Sequence, residues 1–205
     1  MIIKLIKTLH SKFIFNRRVQ MIARGIAASV PDNCRILDIG CGDGRISYEV
    51  ARLRSDIEYN GIDILQRPKC YLPFEKYDGI NIPKSYNSCE VVQFVDVLHH
   101  VDDIGKLLQS SILPGTKYVI IKDHEYKTRL DLLLLKLMDW VGNAPHGVRL
   151  SYNFKTKQYW QSLFEQLNLE KVYYNNSLKL YPVPFQGVFG RRLHFLALLK
   201  NCNKT

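Results

Sequence analysis

Leu37-Asp38-Ile39-Gly40-Cys41-Gly42-Asp43-Gly44 decides the fold. Arg35 to Ile39 is a short apolar run that reads as a buried strand ending in glycines, and Ile46 to Leu53 then has the spacing of a helix. A strand that enters a helix through such a turn leaves its backbone bare at the sheet edge, where a side chain would block the approach of a ligand. A dinucleotide-binding turn normally reads G-x-G-x-x-G. Here the glycines are spaced G-x-G-x-G and follow an acid, Asp38, so the turn has a different ligand to hold.

Outward from this turn, strand and helix signals alternate. Glu58 to Ile62 suits a strand, Glu90 to Val95 an apolar strand, Ile104 to Leu113 a helix, and Tyr118 to Ile121 a strand fed by the Pro114-Gly115 turn. Alternation of this kind implies a parallel sheet covered by helices. Gln66 to Pro73 carries two prolines where a connecting helix would stand, so that helix is expected to be short or absent. After Lys122 the pattern changes: Leu130 to Trp140 is helical, Gly142 to Tyr152 loop-like and Thr156 to Leu167 helical again, with Glu170 to Tyr174 and Leu193 to Leu199 as closing strands. Upstream, Ile2, Ile3, Leu5, Ile6, Leu9, Phe13 and Ile14 form the apolar stripe of a basic amphipathic helix, followed by a second helix over about Arg17 to Ser29.

The 205 residues, 46% hydrophobic and 23% charged, suit one domain with a real core. With 29 Lys and Arg against 19 Asp and Glu, a formal charge of +10 favours an anionic partner: nucleic acid, a phospholipid surface or an acidic substrate. Cys34, Cys41, Cys70, Cys89 and Cys202 have no C-x-x-C spacing, so neither a metal site nor a disulfide framework is expected, and a reducing cytoplasm is the natural location. Met1 to Phe15 resembles a signal peptide superficially, but Lys4, Lys7 and Lys12 interrupt its apolar run.

In order and spacing, these motifs resemble the class I S-adenosylmethionine-dependent methyltransferases. The branch is the one whose small-molecule members carry Leu-His-His after the fourth strand, here Leu98-His99-His100, and the likeness spans Arg35 to Lys122. It implies an α/β, Rossmann-like fold: a seven-stranded, mostly parallel sheet between helices, with an N-terminal helical cap over residues 1–30. The methyltransferase domain would be 31–205, with a lid insertion at about 124–169 after the fifth strand. It also implies S-adenosylmethionine as cofactor, its methionine portion wrapped by the turn of Asp38, Gly40, Cys41, Gly42 and Gly44. Asp63 would take both ribose hydroxyls, Ile64 would pack on adenine, and Asp78-Gly79 would face the adenine amino group. Phe94, Val95 and Asp96 would lie under the methyl donor.

Methyl transfer is an in-line attack on a sulfonium, so the protein must align a nucleophile and, for a hydroxyl, accept its proton. His99 and His100 after the fourth strand, and Asp123-His124 in a polar cluster released from the fifth, stand where parallel sheets place their sites. His146 lies in the loop expected to close over substrate. Each of these histidines also has a structural reading, as a brace within the fold. Asp96-Val97-Leu98-His99-His100 replaces the Asn/Asp-Pro-Pro-aromatic segment of enzymes that methylate base amino groups, which argues against a base N-methyltransferase; O-methylation of a small aromatic or lipid-like metabolite is the leading reading, with a carbon or amine acceptor left open. An RNA methyltransferase, suggested by Arg17-Arg18 and Arg191-Arg192, and a non-catalytic cofactor binder are the alternatives. The N-terminal helix either caps the cofactor or touches an anionic membrane at its inner face.

Overall fold

The computed structural model describes residues 14–143, 151–183, 185–190 and 192–203. Helix α1, Asn16–Ser29, buries Val19, Ile22, Ala23 and Ile26, one stripe at helical spacing, and stops where Val30 turns extended before Pro31. Strand β1, Arg35–Ile39, leads through the glycine turn into α2, Arg45–Leu53, against which α1 packs. Then follow β2, Glu58–Asp63; β3, Phe74–Lys76; β4, Val91–Val95; and α3, Ile104–Ser111, whose start is capped by the Asp103 carboxylate accepting from the Lys106 amide. The second half comprises β5, Tyr118–Tyr126; α4, Arg129–Asn143; β6, Lys155–Thr156; α5, Lys157–Gln166; β7, Leu169–Asn175; α6, Phe185–Phe189; and β8, His194–Asn201.

The main path of the sheet runs β3-β2-β1-β4-β5-β8-β7, and the short β6 pairs with the end of β5. Strands β1 to β5 are parallel to their neighbours along the path, and β8 enters antiparallel between β5 and β7. Alternate residues face opposite layers, as strand geometry requires. Leu37, Ile39, Val92, Phe94, Val119 and Ile121 pack with Trp160, Leu163 and Phe164 of α5, whereas Ile36, Val91 and Ile120 pack with Ile22 and Ile26 of α1 and Val50 of α2.

Gln66 to Pro73 forms no helix; its Tyr71 amide donates to the Asp43 carbonyl, so the segment lies on the glycine turn. Two local expectations are corrected. Lys122 to Glu125 is not released from the fifth strand: β5 continues to Tyr126 with all four residues buried, because β8 pairs with it as far as His124 opposite His194. Tyr181 to Gln186, an apolar, aromatic stretch that reads in sequence as a second loop lining the pocket, instead runs into the short helix α6. The N-terminal amphipathic stripe falls almost wholly outside the described residues, as does most of the loop-like stretch after Gly142. Among the described residues no helix is long and apolar enough to cross a membrane.

Candidate active site

The glycine turn sits where β1 ends, beside the end of β4. A Cβ on Gly40 would fall 2.6 Å from the Val97 side chain and one on Gly44 2.9 Å from Leu72, so both positions are closed by packing. Gly42, at φ 61°, differs: a Cβ there would meet nothing within 4 Å. That is the open face of the turn. Cys41 fills the notch left by Gly61, where a Cβ would lie 2.7 Å from its sulfur, and burial pushes its thiol far up.

Both acids of the turn are held in place. Asp63, at the end of β2, accepts from the Gly42 amide at 2.8 Å and the Leu65 amide at 2.9 Å. Asp38 accepts from Ser47 Oγ at 2.6 Å, and Gln93 and Tyr59 extend that buried chain. Its other oxygen, Oδ1, is buried with no hydrogen-bond partner, and burial pushes its carboxyl up to about 6. Ile64 is 51% exposed and contacts the Gly79 turn, where a Cβ would come within 3.1 Å of it. The Asp78 carboxylate accepts from the Ile80 and Asn81 amides and from the Asn81 side chain. Phe94 is enclosed in the core and Val95 half-buried.

Open space at Gly42, an orphaned carboxylate oxygen on Asp38 and an apolar surface at Ile64 fit a cationic amino acid joined to a nucleoside. These residues therefore suit S-adenosylmethionine.

A second cluster, entirely polar, lies at the same sheet edge on β4, β5 and β8. Lys122, wholly buried, donates to Asp96, which also accepts from Arg18 Nη2 at 2.9 Å. Burial would raise the Asp96 pKa, but the charges of Lys122 and Arg18 override it and hold the carboxyl well below the usual range. Asp123 Oδ1 accepts from His99 Nδ1 at 2.7 Å and His124 Nδ1 at 3.1 Å, while its Oδ2 takes the Leu98 amide at 2.9 Å. The two imidazoles titrate in opposite directions. Burial works against a charge on His99, yet Asp123 and Asp139 lift it to about 9. Burial and the Lys122 charge lower His124 to about 4. His99 is thus a cation at neutral pH and His124 is neutral; with Nδ1–H on Asp123, His124 keeps the lone pair of Nε2.

Phe154, just before β6, stacks on His99 at 5.0 Å and meets His124 edge-on at 5.4 Å, and Ser151 and Asn153 bond to the His99 carbonyl. His146 lies outside the described residues. His99, Asp123 and His124, and likewise His99, His100 and Asp139, bring donor atoms within 4.8 Å of one another. Ion pairs and hydrogen bonds already engage these atoms: Asp123 accepts from both imidazoles, and protonated His99 faces Asp139 at 3.7 Å.

Sequence reasoning did not single out His194, and it named Arg18 only as half of a basic pair, Lys122 only as a member of the polar cluster and Tyr181 only within an aromatic loop. Lys122 carried the one available signal, a cation at the end of an apolar strand, which requires a partner once buried. The partners come from elements far apart in the chain, and no local pattern reveals them.

The family model for the methyltransferase domain matches residues 12–174. No curated protein matches the chain. Among solved structures, a chain from the complex of the Haloferax volcanii Trm112 methyltransferase activator with its methyltransferase is 12% identical, covering 95% of this chain and 92% of that one at a TM-score of 0.66. An S-adenosylmethionine-dependent methyltransferase from Mesorhizobium loti is 13% identical, covering 86% and 96% at 0.60. An O-methyltransferase family 2 protein from Planctomyces limnophilus, in complex with apigenin, is 15% identical, covering 87% of this chain and 56% of that one at 0.58. At these identities the likeness is one of fold.

Proposed function

Because this chain belongs to the methyltransferase-domain family and its methyl donor is S-adenosylmethionine, we propose that it methylates a hydroxyl of a small aromatic or lipid-like metabolite, with His124 as general base. The observation that carries this is the neutral His124 imidazole held on Asp123 at the sheet edge that also bears the glycine turn. When bound, the donor supplies an electrophilic methyl group whose bond to sulfur breaks as the bond to the substrate oxygen forms.

The protein's own part is alignment and proton removal. Asp123 orients His124 so that Nε2 receives the hydroxyl proton, and protonated His99 keeps Asp123 ionised and in place. Asp96, clamped by Lys122 and Arg18, stays a carboxylate and shapes the floor beside the turn. Asp38, Gly40, Cys41, Gly42 and Gly44 hold the methionine portion, Asp63 the ribose, and Ile64, Asp78 and Gly79 the adenine side, with Phe94 and Val95 supporting from below.

The RNA reading draws less support. Arg18, half of one basic pair, turns inward to Asp96 rather than joining a surface stripe. The test uses a methyl-labelled donor with a phenol panel, a total lipid extract and total RNA. Label is expected in the phenol or lipid fraction and lost in His124→Ala. Label confined to RNA, or none at all, overturns the proposal.

A further inference from the structure

We infer that the cavity between α1 and the loop joining β7 to β8 binds an anionic group, a phosphate or carboxylate, carried on an apolar substrate body. This rests on the small-molecule reading above and narrows the substrate to an anionic amphiphile.

The sheet register puts this cavity on the active edge. Asn175, the last residue of β7, pairs with Leu196, and His194, the first of β8, stands opposite His124. The intervening loop therefore emerges at the end of the sheet where the base and the glycine turn lie. The cavity it forms with α1 measures about 680 Å³, within the range of small-molecule sites.

Its lining is of two kinds. Arg17, Lys179 and Arg192 supply cations and Tyr181, Pro182 and Val183 an apolar wall, with Val183 88% exposed; no Asp or Glu is among the lining residues. Four arginines elsewhere are matched by carboxylates: Arg18 with Asp96, Arg35 with Glu90, Arg52 with Glu49, and Arg54 with Asp32 and Asp56. Among the described residues no carboxylate pairs with the three cations of the cavity. Arg17 is nevertheless oriented, because its Nη2 donates to the Lys179 carbonyl at 3.2 Å. Like charges gathered around one concavity repel each other, and an anion placed among them removes that cost.

Tyr181 joins the cavity to the chemistry. Its ring lines the cavity, while its hydroxyl lies 3.4 Å from His194 Nε2, and His194 Nδ1 lies 3.4 Å from Lys122 Nζ. The Arg18 guanidinium sits 6.0 Å from the same ring and reaches Asp96 on its other side. A substrate anchored by its anionic end in the cavity would thus extend its apolar body along the wall that backs the polar cluster.

Calorimetric titration with n-octyl phosphate below its micelle concentration, n-octanol and inorganic phosphate tests this on the full chain. Octyl phosphate is expected to bind at least tenfold more tightly than either other probe. Lys179→Gln combined with Arg192→Gln, both exposed, is expected to weaken it tenfold or more while S-adenosylmethionine affinity stays unchanged. Equal binding of octanol shows that charge is not read, and equal binding of inorganic phosphate shows that the apolar body is not; either overturns the inference. So does an octyl phosphate affinity indifferent to the two replacements. Sedimentation with phosphatidylglycerol vesicles forms a further arm: capture by vesicles without binding of soluble octyl phosphate assigns the charge to a bilayer and also overturns it. None of these measurements reads methyl transfer, so their failure is separable from failure of the proposed activity.

Discussion

Lys122 on β5 and Asp96 at the tip of β4 form an ion pair whose ammonium is wholly shut off from solvent. Asp96 holds its position at φ 56°, a left-handed conformation that costs a non-glycine residue about 1 kcal/mol. The pair therefore works against both desolvation and backbone strain, and removing one partner exposes the cost. Lys122→Met is expected to lower stability by about 3 kcal/mol or more in urea denaturation, since the carboxylate is left with Arg18 alone. Adding Asp96→Asn should recover much of the loss. A Lys122→Met protein as stable as the parent would contradict the pairing.

Two glycines of one turn should fail in different ways. Gly42→Ala adds a methyl group to open space, so beyond about 1 kcal/mol for its positive φ the fold tolerates it, while the methyl would enter the volume proposed for the cofactor. Gly44→Ala drives a methyl into Leu72 and should cost more stability. Thermal melting with and without S-adenosylmethionine separates them: Gly42→Ala should melt near the parent yet lose the ligand-induced rise.

Asp63→Ala removes the acceptor proposed for the ribose and also frees the Gly42 amide that the carboxylate holds at 2.8 Å. Titration calorimetry is expected to show cofactor affinity reduced tenfold or more, about 1.4 kcal/mol. Unchanged affinity would remove Asp63 from the site.

The turn was legible in sequence because everything that makes it a turn is local: the apolar run, the alternate glycines and the acid at the end of the next strand. The second cluster was not. Lys122, Asp123, His124 and Glu125 look like loop residues because a run of charge normally marks the end of a buried strand, and partners distant in sequence explain why they stay inside: the strand at 194–201, Asp96 for Lys122, His99 for Asp123, and Tyr174 and Asn176 for Glu125. The antiparallel entry of β8 between β5 and β7 leaves no trace in periodicity either, since a strand buried on both faces reads alike in both directions.

The pH behaviour of the two imidazoles should separate structure from chemistry. His99 titrates at about 9 against 6.5 for a free imidazole, so its contribution to stability is complete below 6.5 and lost as pH rises through 9. His99→Gln is expected to flatten the alkaline fall in stability between pH 7 and 10, as followed by urea midpoints. His124, lowered to about 4, remains an uncharged base across the neutral range. Turnover should therefore be level from about pH 6 to 8 and decline only as pH approaches 4, with His124→Ala reducing it on the order of a hundredfold and leaving cofactor affinity intact. A limb near 6.5 would mean that another group accepts the proton.

β8 lies between β5 and β7 although it follows both in the chain. As the polypeptide emerges from the ribosome, β5 keeps one edge unpaired until residues 194–201 arrive, and an apolar strand with an open edge is a template for wrong partners. His194, which faces the Lys122 ammonium, comes with that last strand, and Tyr181 only shortly before it. The nascent chain thus holds its glycine turn long before the surroundings of His124 are complete: under the proposed function, the residues for the methyl donor precede those that finish the setting of the base.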